Sequence, residues 1–311
     1  MTAVSEVVEP LTVENTVQIA SVGHRLAMGI QWVDALSQLS AAGPWTSDLE
    51  AIGTRPCPLR FDAHPQSRHA LRAAGRLAKL LTVAAKDKVT TPPASIDVDQ
   101  TNFVLRAFAR KNSRVENYAT SNDPRQFVPR RLSLTPVQTD GFPTAGVANI
   151  RSAWLWPGSV YPLAANMTAI RGRVRKGPSE ALAKTVAWSR VVITRPGGGP
   201  PVFATETQLG YAHGDDRGEF LAVLGVGAVP GGAVLPPTIT LRVWVFIPPA
   251  DVFDAADPLA SLPLEVAGTD AINDVLRGTQ MPGAYVRMNS IDVTLAPGSM
   301  FTMDEAQLLF V

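Results

Sequence analysis

Apolar and polar residues alternate with a period of two along several short stretches of this chain, and each stretch ends at Gly, Pro or Asp. That period writes strands, because successive strand side chains point to opposite faces. The clearest run is residues 238–247. Thr238, Thr240, Arg242, Trp244 and Phe246 share one face, and Ile239, Leu241, Val243, Val245 and Ile247 share the other. The second face is wholly apolar and is predicted to meet a core. Residues 26–33, 59–61, 101–109, 125–134, 169–174, 188–194 and 285–295 also read as strands. Pro129 has no N–H for a ladder, which confines its strand to an edge or a bulge. The stretch 214–221 reads as a tight Asp/Gly hairpin turn that launches a strand. Residues 301–311 are predicted to return after a turn at Pro297-Gly298.

Helical signals are few. Arg68, Arg72 and Arg76 fall at i, i+4 and i+8, with Leu71, Ala74, Ala78 and Leu81 beside them. An amphipathic helix over 66–85 fits this spacing. A strand at 70–72, a turn at Gly75 and a second strand over 77–83 fit it equally. Residues 270–276 predict one short helix, with Thr269 as N-cap and Gly278 after its end.

The order of these elements divides the chain into an N-terminal arm (1–20), a β-rich module (21–135), a Pro/Gly linker (136–166), a second β module (167–249) and a C-terminal β tail or arm (250–311). The tail strands either complete their own domain or add to a neighbour. No internal repeat and no low-complexity tract is visible.

The second module opens with Ile170-Arg171-Gly172-Arg173-Val174, continues through Ser189-Arg190-Val191-Val192-Ile193, and carries Asp215-Asp216-Arg217-Gly218-Glu219-Phe220-Leu221. In these motifs it resembles the carboxypeptidase-regulatory-like, or transthyretin-like, β-sandwich family over about residues 168–249. The chain departs from the family pattern at Gly177-Pro178, where a longer insertion runs to Lys184, and Leu221 follows Phe220 without the usual spacer. Residues 30–35 followed by Gly43-Pro44 look like the opening of a degenerate second copy. The resemblance implies a mostly β protein with two antiparallel, transthyretin/Ig-like β-sandwich modules, extended terminal arms and at most one or two short helices. The layout is also similar to accessory structural proteins of contractile injection systems and phage-tail-like particles.

Composition agrees with many turns and short strands, since the 311 residues include 24 glycines and 26 prolines. A formal net charge of +1 implies no concentrated positive field, so nucleic acid is not an expected partner. The single cysteine, Cys57, allows no internal disulfide, which points to a reducing compartment. Residues 1–20 hold no Lys or Arg and carry Glu6, Glu9 and Glu14, unlike a signal peptide. No apolar run is long enough to span a membrane. The expectation is a cytoplasmic protein without membrane insertion, or one released as part of a particle.

Catalytic constellations are weak. His64 and His69 lie near Asp62, but Pro65 keeps a helix from carrying both histidines on one face. Asp215 and Asp216 beside His213 are explained by turn chemistry. Asp97 and Asp99 lack the Gly and closing Glu of a calcium loop. Cys57 has no nucleophile context, and Gly197-Gly198-Gly199-Pro200-Pro201 lacks the ending of a phosphate loop and reads as a hairpin connection. No catalytic residue, metal site or cofactor is therefore expected. The candidate partner-binding residues are the alternating Arg171, Arg173 and Arg175, a basic strand face for an acidic partner or a charged face protecting a sheet edge. Arg125, Arg130 and Arg131 read the same way. Trp154, Trp156 and Tyr161 are candidates for stacking on a sugar or a partner, or for packing between modules. The leading expectation is a non-enzymatic structural component that binds protein subunits, its own copies or others, through strand or arm exchange. The second is a carbohydrate- or surface-ligand-binding protein.

Overall fold

The computed structural model describes residues 26–49, 60–72, 103–112, 117–134, 150–225, 236–249, 256–267 and 270–311. These are mostly strand, arranged in several sheets, with few helical turns. The N-terminal arm and residues 73–85, Cys57, Asp97 and Asp99 lie outside the described residues.

Two four-stranded sheets draw on the first half of the chain. One runs β3 (Arg60–His64), β4 (Arg68–Arg72), β1 (Leu26–Asp34), β7 (Ile150–Leu155). The other runs β15 (Leu264–Val266), β6 (Arg130–Leu134), β5 (Phe103–Ala109), β2 (Trp45–Leu49). Ile30, Trp32 and Leu155 from the first meet Leu105, Leu132 and Leu134 from the second in one apolar cluster.

The second half builds a sheet of β12 (Thr207–His213), β11 (Arg190–Arg195), β14 (Ile239–Ile247) and β16 (Val286–Leu295). Facing it is β13 (Glu219–Leu224), β8 (Thr168–Arg173), β17 (Met300–Thr302). Ile170, Phe220 and Ala222 pack against Val191, Ile193, Leu241, Val243 and Val293. A small sheet of β10 (Lys184–Thr185), β9 (Arg175–Lys176) and β18 (Leu309–Phe310) brings Leu308 and Phe310 onto the same core. The apolar face of β14 meets this core as its alternation predicts. Its other face is also covered, since Trp244 and Phe246 pack with Val192, Phe203, Tyr211 and Tyr285.

Several expectations are corrected. Of the two readings open for residues 66–85, the strand at 70–72 is the one found, as β4 over 68–72, paired with β3 on one side and β1 on the other. Gln66 and Ser67, at φ 61° and 55°, supply the tight turn before it, and the helical arginine spacing has no counterpart there. Pro129 precedes β6, which is an interior strand, so the missing N–H falls outside the ladder. The stretch 136–166, read as a linker, contains β7, which pairs in parallel with β1. The tail is not an arm: β16 pairs with β14, β17 with β8, β18 with β9, and β15 with β6. Four of the five sheets are mixed, since β1/β7, β15/β6, β17/β8 and β18/β9 are parallel, while the β12–β11–β14–β16 sheet is antiparallel throughout. A parallel neighbour must arrive by a long connection, which local alternation does not encode.

The Asp/Gly turn is not a hairpin either. It carries the chain from β12 in one sheet to β13 in the other. Asp215 Oδ1 accepts the backbone N–H groups of Arg217 and Glu219, both at 2.9 Å. Gly218 closes the corner at φ +73°, where a Cβ would sit 2.7 Å from Val174 O. Gly218→Ala is expected to lower stability by about 1–2 kcal/mol for the left-handed backbone alone. The carbonyl contact adds to that loss. A urea midpoint equal to that of the parent protein would refute this account of the corner.

The short helix α1 (Asp274–Arg277) begins later than its sequence signal. Asn273, not Thr269, is its N-cap and accepts the Leu276 N–H at 2.8 Å. Gly278 ends it in the left-handed conformation at φ +70°, as the sequence suggests.

Candidate functional site

A helix leaves its last carbonyls without intrahelical partners. In α1, side chains from three other elements meet them. Arg130, from β6, donates to Leu276 O and Val275 O, both at 2.5 Å, and to Trp154 O at 2.8 Å. The Trp156 indole N–H, just beyond β7, donates to Arg277 O at 2.8 Å. His213, at the end of β12, contacts Gly278 O through Nε2 at 2.8 Å. A carbonyl only accepts, so Nε2 carries the proton. The two rings are 5.6 Å apart between centroids.

The same arginine joins a buried ion cluster. Arg130 Nε donates to Glu265 Oε2 at 3.0 Å, and Nη2 bonds the same oxygen. Glu265 Oε1 accepts Arg190 Nη2 at 2.8 Å. One carboxylate on β15 thus bridges a guanidinium from the N-terminal sheets and one from the C-terminal sheets. The three side chains are 0%, 6% and 5% exposed, so solvent screens them little. Arg190 also lies 5.8 Å from the Tyr285 ring centroid, and Tyr285 Oη donates to Trp188 O at 2.7 Å. Trp188 Nε1 donates in turn to Ser261 Oγ at 2.9 Å. Burial, then the positive Arg190 and Arg130, hold His213 well below its ordinary value. The sequence reading of Arg130 as an exposed basic residue is overturned, because its guanidinium is fully enclosed.

A second polar contact joins the loop before β6 to the Asp215–Gly218 corner. Asp216 Oδ2 accepts Tyr118 Oη at 3.0 Å and the Thr120 hydroxyl, while Tyr118 also reaches Asp123 Oδ2 at 3.3 Å. Burial pushes Asp215 up to about 6 and also raises Asp123. His213, Asp215 and Asp216 therefore do not converge, since each serves a different structural bond. Among the described residues no group of three or more His, Cys, Asp or Glu side chains is placed to hold a metal ion.

A third constellation escaped the sequence. Trp32 Nε1 donates to Ser47 Oγ at 3.1 Å and to His69 Nδ1 at 3.2 Å, and Ser47 bonds His69 Nδ1 directly. An indole only donates, so Nδ1 accepts and the ring proton sits on Nε2. A serine hydroxyl on an imidazole is the pairing of a nucleophile and a base. Here it is enclosed: Trp32 is fully buried, Ser47 is 7% and His69 5% exposed. It ties strands of the two N-terminal sheets, and burial, with His64 adding, lowers His69 to about 4. No sequence spacing links these residues. His64 is exposed, so it does not join His69 in a metal cluster.

The candidate partner-binding residues are already engaged. Arg171 is exposed and donates to Thr302 Oγ1 at 3.0 Å. Arg173 pairs with Glu219 and reaches Glu305 at 3.4 Å, and Arg175 pairs with Glu305 at 3.0 Å. They do not guard an edge, because β8, which carries Arg171 and Arg173, is flanked by β13 and β17, and β9, which carries Arg175, by β10 and β18. Trp156 is buried, and Tyr161 donates to Asp34 Oδ2 at 2.6 Å while its ring packs on Phe127. Trp154 is half-buried with Arg277 over its ring at 5.8 Å. The three aromatics form no common exposed platform. The Gly197–Gly199 stretch is exposed and joins β11 to its antiparallel partner β12.

No family model, no curated protein and no solved structure matches the chain.

Proposed function

We propose that this chain is a non-enzymatic structural subunit of a multi-protein assembly, and that it holds its neighbours by strand pairing. The observation that carries this reading is the outer edge of β16. That strand is ten residues long and, among the described residues, pairs with β14 alone. Among the described residues no other backbone–backbone hydrogen bond reaches residues 286–295, and the Ser290 N–H donates to the side chain of its own neighbour, Asn289 Oδ1, at 2.9 Å. An open edge of this length is a template for an added strand. The buried ties between sheets support the same reading, because a subunit that transmits load needs sheets that do not slide. A contractile injection or phage-tail-like particle is the setting that the sequence resemblance nominates.

Deleting residues 285–311 does not test this reading. It removes Val293, Leu308 and Phe310 from the core and so removes the fold. The informative variant is Ser290→Lys, which places a charge on the outer edge without touching that core. The tagged parent chain, isolated from producing cells by size, is expected in a large particle at fixed stoichiometry with other subunits. Ser290→Lys is expected to keep the parent's circular dichroism and melting temperature yet to be depleted from the particle at least tenfold. A parent chain found only as free monomer, or full incorporation of the lysine variant, overturns the proposal.

A further inference from the structure

We infer that the first partner of the β16 edge is a second copy of this chain, joined about a two-fold axis at Ser290. The inference rests on the assembly reading above and names one partner of that same edge.

The argument begins with an irregularity. From Ile239↔Leu295 to Trp244↔Ser290 the ladder with β14 is regular, but Phe246 lies opposite Arg287. Met288 and Asn289 together therefore oppose the single residue Val245, which is a β-bulge on β16. The bulge changes which side chains share a face. Asp292 lies opposite Arg242, Ser290 opposite Trp244, and Arg287 opposite Phe246, so all three share the outer face of the sheet. Without the extra residue Arg287 would point to the core face. Its guanidinium instead lies 5.4 Å from the Trp244 ring centroid.

A two-fold axis perpendicular to a sheet makes a strand antiparallel to its own copy and keeps each face on its side. With Met288 and Asn289 counted as one ladder position, an axis at Ser290 puts Arg287 opposite Asp292 of the second copy, and Asp292 opposite its Arg287. The bulge pair falls opposite Ile291, and Val286 opposite Val293. Opposite charges thus meet twice on the outer face, where cross-strand ion pairs stabilise and like charges repel. Both residues are exposed, and the Asp292 side chain keeps 51% of its surface while bonding Arg242. On the core face Val286, now 54% exposed, gains an apolar neighbour. The four-stranded sheet becomes a continuous sheet of two copies, and the edge that lacks a strand partner among the described residues gains one without a third component.

The test uses the purified full chain in light scattering over a concentration series. The parent is expected at twice 33.1 kDa. Arg287→Asp and Asp292→Arg each set like charges against each other twice, and each alone is expected as a monomer. Their one-to-one mixture restores both opposite-charge pairs and is expected to recover the dimer. Asp292→Arg also removes a partner of Arg242, so a second test avoids that strand contact. In a Cys57→Ser background, Ser290→Cys is expected to form a reducible disulfide dimer under mild oxidation, whereas Thr294→Cys, away from the axis, is not. A parent that stays monomeric, a mixture no better than its components, or equal cross-linking at both positions overturns self-pairing. If the monomeric parent still enters a particle from which Ser290→Lys is depleted, the edge serves a different subunit and the assembly reading stands.

Discussion

Replacing Glu265 with leucine is expected to destabilise the protein by about 3–5 kcal/mol, the cost of stranding a buried charge by removing its partner. The upper end applies, because one carboxylate serves both Arg130 and Arg190 and all three are enclosed. A small domain has only about 5–15 kcal/mol of stability in total, so this one change takes a large share of it. The two arginines are not equivalent. Arg130 retains the carbonyls of Trp154, Val275 and Leu276 as acceptors, and those carbonyls have it as their donor. Besides Glu265, the hydrogen bonds of Arg190 among the described residues are longer, 3.4 Å to Trp188 O and Ser189 O, with the Tyr285 ring 5.8 Å away. The order of damage in urea denaturation is therefore Glu265→Leu, then Arg130→Met, then Arg190→Met. Combining Glu265→Leu with Arg190→Met is expected to recover part of the single-variant loss, since one stranded charge is gone. Strict additivity of the two changes would show that Glu265 does not bridge them.

That cluster also shows where the sequence stops being legible. The strand pattern at 238–247 is readable because alternation along one segment reports its own two faces, and the apolar face is in the core. The mostly β class follows from many such segments. Arg130 carries no local mark of burial: it sits in an Arg-Arg pair, and its carboxylate lies 135 positions away. Ser47 and His69 meet only because β2 and β4 belong to sheets that face each other across the Trp32 ring. Pairing partners are equally hidden: 285–295 reads as a strand, but the single return predicted over 301–311 is found as two short strands, 300–302 and 309–310, in two different sheets. The i, i+4 arginines leave helix and strand open for a related reason. Arg68 and Arg72 face strand neighbours on β1, so their spacing reflects no helix.

Acid is expected to weaken the fold through two buried imidazoles. His69 is lowered by burial, then by His64, from 6.5 to about 4. Between those values the unfolded chain binds the proton and the folded chain does not, so stability falls as pH falls across that window. At roughly 1.4 kcal/mol per unit of pKa difference, His69 contributes a loss of about 3 kcal/mol by pH 4. His213 acts in the same direction, because burial and the Arg190 and Arg130 guanidiniums oppose a third positive charge at the α1 terminus. Glu265 stands across those guanidiniums as the cluster's only carboxylate among the described residues. Asp215 opposes the trend. Burial raises it from 3.8 to about 6, so the folded chain binds its proton first and gains stability as pH falls from 6 towards 4. Urea midpoints between about pH 7.5 and 4.5 should therefore fall most steeply in Asp215→Asn, which lacks the offset. They should fall least in a His69→Gln, His213→Gln double variant, whose glutamines keep hydrogen-bonding groups without titrating. Parallel pH profiles for the parent and the double variant would mean that neither imidazole is held neutral by its surroundings. The contact of His213 with Gly278 O beyond α1 would then owe nothing to an uncharged imidazole.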